Sequence, residues 1–443
     1  MSLWPRDPRE VPAQTARVAR AVVPGGSFCL RLRDTLGVVF RDEAFADLFV
    51  VRGRPAEAPG RLALVSVLQF VEGLTDRQAA DAVRLRLDWK YLLGLELEDQ
   101  GFDASVLCEF RARLAASGAA EALLFDAVLS RLAEADLVAR GGRQRTDSTM
   151  VLAQIRSLHR LELVGETLRA ALEAVAACAP GWLRQVAPPA WFTRYGPRVQ
   201  AYRLPKSASE RMAPAEQVGR DGVELFERCR QGDAPLFLRD LPALQALRAI
   251  WVQQFYRDES ALVWRDRETH GRPPGARAII SPYDLDARFS VKRGVGWDGY
   301  KVQISESCDS ELPHLITYVG TVPATEPDIA STSRVHQRLA ERGLTPAEHL
   351  VDAAYVAADQ ILAARQDHGV DLVGPLTVGH SWQKKHSSGF ALSSFAVDWD
   401  RQIVTCPQGP EQREPVLPGD VTAQIAGPAK RPVGCNPLRH QYV

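Results

Sequence analysis

Two aspartates far apart in the chain have the setting of a metal-binding pair. Asp147 lies in Arg143-Gln144-Arg145-Thr146-Asp147-Ser148-Thr149-Met150-Val151, and Asp352 ends a short apolar run in Glu348-His349-Leu350-Val351-Asp352-Ala353-Ala354-Tyr355. Each sits at a strand-like segment. Mg²⁺ takes oxygen ligands, keeps several waters, and commonly uses one or two carboxylates plus substrate phosphate. Two such ions about 3.5–4 Å apart activate the attacking oxygen and stabilise the leaving one in an in-line displacement. Carboxylates from neighbouring strands suit that chemistry. The plainer alternative is that Asp147 begins a turn and Asp352 caps the next helix, as aspartate often does.

Four basic residues are candidates for phosphate. Arg288 follows the turn Ser281-Pro282-Tyr283-Asp284-Leu285-Asp286-Ala287, and Lys301 opens a strand in Gly299-Tyr300-Lys301. Arg111 and Arg113 lie on the third of a set of helices, where a helix-turn-helix reader would present them to DNA. Surface punctuation and a solvated helix face are the alternatives.

The elements that must position these residues can be read from periodicity. After a mixed segment with a short helix expected near 44–51, and a Pro/Gly linker at 52–60, Leu64, Val67, Leu68 and Val71 recur at helical spacing up to Gly73. Thr75-Asp76-Arg77-Gln78 is a capping box. Asp103 caps a third helix, and Phe125, Val128, Leu129 and Leu132 mark a fourth. The period then changes to a strand over 146–155. A helical stripe follows through Leu158, Leu161, Val164, Leu168, Leu172 and Val175, and opens a helical insertion that runs to about 270. Strands are expected at 300–306, 314–322, 349–352 and 370–376, with helices at 328–342 and 357–368. This order fits an α/β RNase-H-like core with a large helical insertion, preceded by an all-α domain. In such a sheet the first and fourth strands are neighbours, which brings Asp147 and Asp352 together. The expected organisation is an arm and linker at 1–60, a helical DNA-binding domain at 61–140, the core at 141–408 with its insertion at 156–278, and an irregular, disordered tail at 409–443.

Composition limits the partners. Apolar residues make up 46% and charged residues 24%, with a formal net charge of zero, so no global basic field marks the chain. Charge is uneven, however. Residues 141–300 hold 24 Lys+Arg against 18 Asp+Glu, while residues 61–140 hold 9 against 13. The seven cysteines are scattered without a C-x-x-C pair, as in a reduced cytoplasmic protein. No apolar run reaches the ~18 residues of a membrane span.

Together these segments resemble bacterial insertion-sequence DDE transposases, specifically the group numbered eleven eighty-two within the IS-four and IS-five-like clans. The resemblance rests on Phe70-Val71-Glu72-Gly73-Leu74-Thr75-Asp76-Arg77-Gln78, Asp88-Trp89-Lys90-Tyr91-Leu92-Leu93-Gly94-Leu95 and Phe110-Arg111-Ala112-Arg113-Leu114. Thr146-Asp147-Ser148-Thr149, Asp286-Ala287-Arg288, Gly299-Tyr300-Lys301 and Val351-Asp352-Ala353-Ala354-Tyr355 follow in family order, with Ala354 where the family usually has glycine. The resemblance implies a transposase that cleaves and transfers DNA strands at terminal inverted repeats. Asp147 and Asp352 would be catalytic and would hold Mg²⁺, with Mn²⁺ as a substitute. Double-stranded DNA, both element ends and target, would be the partner of a homodimer associated with the nucleoid, with no membrane.

The family's third carboxylate is a glutamate on a later helix. Here Glu411 and Glu414 are the only glutamates after Gly409, and the 35 residues of the tail contain six prolines and four glycines, which leaves no room for an ordinary helix. The expectation is a copy truncated or frameshifted after about residue 409. The competing expectation is a non-catalytic DNA-binding remnant that recognises element ends and inhibits an intact transposase.

Overall fold

The computed structural model describes residues 2–5, 10–200, 204–259, 261–265, 271–375, 394–398, 400–401 and 403–407. It divides into two units, Met1–Pro375 and Leu376–Val443. The expected irregular tail, with Glu411 and Glu414, lies outside the described residues.

The first unit begins with helices α1 (Ala13–Val22), α2 (Phe28–Leu36), α3 (Pro59–Glu72), α4 (Asp76–Leu85), α5 (Leu87–Leu93) and α6 (Ser105–Ser117). Local signals set their ends. Pro59 opens α3, where a missing N–H is tolerated. Thr75 and Gln78 form the reciprocal capping box of α4, and Asp103 accepts from the Ser105 N–H at 2.9 Å at the start of α6. Leu62, Val65, Leu68, Val83, Trp89, Leu107 and Phe110 form their common core. The helix expected near 44–51 is instead a 3₁₀ segment, Asp42–Leu48, and residues 49–51 are not helical. The tight turn delivers Phe45 into that core, between the rings of Phe40 and Phe110.

A π-helical segment, Glu121–Asp126, leads into α7 (Ala127–Glu134). Leu124, Ala127 and Val128 pack on the N-terminal helical core, whereas Leu129 and Leu132 pack with Tyr318, Val335 and Leu339 beside the sheet. α7 thus belongs to both layers.

Strand β1 (Arg143–Leu152) is followed by α8 (Arg160–Cys178), α9 (Pro180–Val186), α10 (Pro189–Tyr195), α11 (Ala208–Arg228) and α12 (Pro242–Gln254). The α8 stripe buries Leu161, Val164, Leu168 and Val175 against Trp191, Leu225, Leu247 and Ile250, a core separate from the others. The insertion is not wholly helical as expected. β2 (Phe255–Asp258) and β3 (Ala261–Trp264) form an antiparallel hairpin. Phe255, Tyr256, Val263 and Trp264 favour extended backbone, and Phe255 and Trp264 bury into the insertion's own core.

The remaining elements are β4 (Arg288–Lys292), β5 (Val295–Ser307), β6 (Ile316–Pro323), α13 (Thr332–Glu341), β7 (Glu348–Val351), α14 (Ala358–His368) and β8 (Asp371–Val373). The six-stranded sheet runs β4-β5-β1-β7-β8, with β6 also paired to β5. β5 is antiparallel to β1, β4 and β6, while β7 is parallel to β1 and β8 is parallel to β7. β4 lies opposite Val295–Gly299 and β6 opposite Tyr300–Glu306, so these two strands share one edge of β5 end to end. β1 begins three residues before the expected strand and ends three before its expected limit.

In the second unit, β9 (Ala396–Asp398) and β10 (Ile403–Thr405) form an antiparallel hairpin.

Candidate active site

β1 is the central strand, and its side chains alternate strictly over its first half. Gln144, Thr146 and Ser148 are buried, while Arg143, Arg145 and Asp147 face outward. The parallel ladder to β7 pairs Arg143 with Glu348, Gln144 with His349, Arg145 with Leu350 and Thr146 with Val351. Asp147 and Asp352 each occupy the position immediately beyond this last rung. Neighbouring strands lie about 4.8 Å apart, so the ladder brings together two residues from distant parts of the chain.

Both aspartates are exposed. Asp147 Oδ1 accepts from the Ser148 N–H at 2.7 Å, and Asp352 Oδ1 accepts from the Ala354 N–H at 2.8 Å. Among the described residues neither carboxylate is paired with a cation, although nearby acids are: Glu348 with Arg143, Glu306 with Arg145, and Asp328 with Lys301. Two unpaired carboxylates at adjacent positions are an oxygen-only donor set open to solvent, which fits a Mg²⁺ ion that retains waters and takes substrate phosphate. No cluster of three or more His, Cys, Asp or Glu side chains arranged for a metal occurs among the described residues.

The buried face of β1 carries polar side chains. Thr146 Oγ1 is 2.6 Å from both Ser305 Oγ and His349 Nε2, and His349 Nδ1 is 2.7 Å from His336 Nε2 on α13. Thr317 Oγ1 donates to Gln144 Oε1 at 2.6 Å. Tyr355 Oη donates to Gln303 Oε1. Gln303 Nε2 and Lys301 Nζ both donate to Asp328 Oδ1, at 3.0 and 2.8 Å. Such a layer is stable only when each member finds a partner. Burial pushes the Tyr355 phenol up, and the negative charges of Asp328, Asp147 and Asp352 push it further.

Arg111 and Arg113 share α6, Arg288 opens β4 and Lys301 lies on β5, and each of these four expected phosphate-binding residues has an intramolecular partner. Lys301 departs from the expectation of facing DNA. The pleat of β5 puts it on the buried face with Gln303 and Ser305, where it is 9% exposed and bound to Asp328. Arg288 donates to the carbonyls of Leu285 and Ala287 and holds the turn before β4. Arg111 pairs with Asp76 at 2.8 Å, joining α6 to the start of α4. The Arg113 guanidinium lies over the Phe49 ring at 5.4 Å.

Residues 17–113 match the family model described as Transposase domain (DUF772). The transposase domain runs from within α1 to within α6 and includes Arg111 and Arg113 near its end. It stops before Asp147. The match supports a transposase family and, at that level, a transposase-type enzyme. No curated protein and no solved structure matches the chain. No helix among the described residues is long and apolar enough to cross a membrane.

The polar layer is not legible as such in the sequence. Its signal was Lys301, Gln303, Ser305 and Ser307 at every second position of β5, a pattern that marks one face of a strand without revealing that this face is buried.

Proposed function

We propose that the chain is a DDE-type DNA transposase whose catalytic core is an RNase-H-like sheet. The observation that carries this reading is the placement of Asp147 and Asp352 one step beyond the Thr146–Val351 rung, both exposed and unpaired with a cation among the described residues. The strand arrangement supports the fold assignment: antiparallel β6, β5 and β1 followed by parallel β7 and β8. The transposase domain at 17–113 supports the functional class.

In this reading Asp147 and Asp352 hold divalent metal, Mg²⁺ or Mn²⁺, at the outward face of the sheet. The metal, when bound, supplies a lowered pKa for the attacking oxygen and stabilises charge on the leaving one. The chain's own contribution is rigidity. The Asp147 backbone is held by its rung to Ile304 of β5, directly after the last β1 rung to β7 at Thr146. The turn after β7 fixes Asp352. The helical transposase domain recognises terminal inverted repeats in double-stranded DNA, and a homodimer associated with the nucleoid in the cytoplasm joins two ends.

The test is strand cleavage and transfer by the full chain on DNA that flanks its coding sequence, with Mg²⁺ or Mn²⁺. Metal-dependent cleavage at the element ends that disappears in Asp352→Asn is the expected result. Tight, sequence-selective binding with no cleavage under either metal would replace this reading by that of a non-catalytic DNA-binding remnant.

A further inference from the structure

We infer that Asp328 and Gln303 act through Tyr355 as positioning residues for Asp352. The inference rests on the reading of Asp147 and Asp352 as a metal-holding pair.

Asp147 lies inside β1, on the rung to Ile304 of β5 and one residue past the last rung to β7. Asp352 lies just outside β7, at the start of a turn in which Ala354 N–H binds its carboxylate and Tyr355 N–H reaches its carbonyl at 3.2 Å. The carboxylate is therefore only as fixed as the turn. The anchor of the turn is Tyr355, which is 1% exposed although it follows exposed Ala354. Its carbonyl accepts from Thr332 Oγ1 at 3.1 Å, and its hydroxyl donates to Gln303 Oε1 on β5.

Gln303 is wholly buried, and its amide has two chemically different ends. The acceptor end serves Tyr355 only if the donor end has somewhere to go. Asp328 decides this. A carboxylate only accepts, so it draws the Gln303 NH₂ group at 3.0 Å and leaves Oε1 facing the phenol. Lys301, bound to the same Asp328 oxygen, offsets the charge that would otherwise be buried alone. Without Asp328 the amide is free to turn over and Lys301 loses its counter-ion. The chain Lys301–Asp328–Gln303–Tyr355 thus links the buried face of the sheet to the turn that carries Asp352.

The test uses the full-length chain with Mn²⁺ alone as probe, measuring free Mn²⁺ by electron paramagnetic resonance and fold by thermal melting. The wild type is expected to bind Mn²⁺ in a way that Asp147→Asn abolishes. Tyr355→Phe and Gln303→Leu are expected to stay folded but weaken that binding about tenfold or more. Should Asp328→Asn unfold the chain by stranding Lys301, Tyr355→Phe, which strands no charge, decides. Wild-type Mn²⁺ affinity in folded Tyr355→Phe and Gln303→Leu overturns the inference. Absence of any Asp147-dependent Mn²⁺ binding in the wild type instead overturns the underlying reading of the pair, and the inference with it.

Discussion

His336 and His349 meet ring to ring beneath the candidate active site, Nε2 to Nδ1 at 2.7 Å, and His349 continues to Thr146, the neighbour of Asp147. Burial pushes His349 down to about 3 and His336 down to about 4. Each folded-state value lies below that of an unfolded histidine, so the unfolded chain takes up protons first. The stability these groups contribute is complete above about pH 6.5 and is lost as pH falls toward 4. Each histidine adds about 1.4 kcal/mol per pH unit to that loss. Denaturant midpoints between pH 7.5 and 4.5 should fall, and His349→Gln should flatten the slope. An unchanged slope in His349→Gln would mean that the pair does not govern acid stability.

Asp147→Asn and Asp352→Asn should fold like the wild type, because both side chains are exposed and outside the packed layers. Removing one of two neighbouring carboxylates also relieves like-charge repulsion in metal-free protein. Melting temperature should hold or rise slightly, while metal-dependent DNA cleavage falls by about a hundredfold or more. A large drop in melting temperature would identify the altered aspartate as structural.

Gly299 should tolerate no side chain. Its φ is +152°, and an added Cβ would lie 2.2 Å from the Val151 carbonyl oxygen and 2.7 Å from the Ala153 nitrogen. Both atoms are backbone of the segment opposite, so the β1–β5 ladder must open to make room. Gly299→Ala should cost more than about 2 kcal/mol. Gly141→Ala, also at positive φ (+73°) but with nothing within 4 Å of the new atom, should cost about 1 kcal/mol. Equal losses in urea titrations would contradict the close approach.

Arg342 ties the helical layer to the sheet. Its side chain is 6% exposed and reaches Asp126 at 2.7 Å, Glu121 at 2.5 Å and the Thr317 carbonyl at 3.0 Å. Arg342→Ala should cost about 2–3 kcal/mol, a figure reduced for the partial exposure of both acids. Arg342→Lys should not restore it, since one ammonium cannot replace a planar fork. Limited proteolysis should then cut near α7 first. Wild-type resistance of Arg342→Ala there would show the junction to be held by apolar contacts alone.

Much of the order from β5 to β8 was legible because Gly343 and Gly369 interrupt strongly patterned segments. The α8 stripe and the Thr75–Gln78 capping box were equally plain, being local. What escaped depended on tertiary context. The hairpin of β2 and β3 was absorbed into a helical run because four-residue strands carry too little pattern. β4 was hidden behind a turn-rich stretch. The inward position of Lys301 is not legible in the sequence, because a lysine on a strand ordinarily faces water and only the approach of Asp328 from the start of the next helical segment offsets the cost of burying it. Asp147 and Asp352 stood out as candidates, but their adjacency came from the ladder register.

The central place of β1 has a consequence for how the chain is made. Both of its hydrogen-bonding partners, β5 and β7, lie downstream, beyond the entire insertion. At a synthesis rate of about 5–20 residues per second, the segment bearing Asp147 waits roughly ten to forty seconds for the one bearing Asp352. Until β5 is made both edges of β1 are bare, and until β7 follows one edge stays bare and the carboxylates are unpaired with each other. The helical segments at 17–113 and in the insertion can fold first, so whatever the assembled pair can do is withheld until β7 has been made.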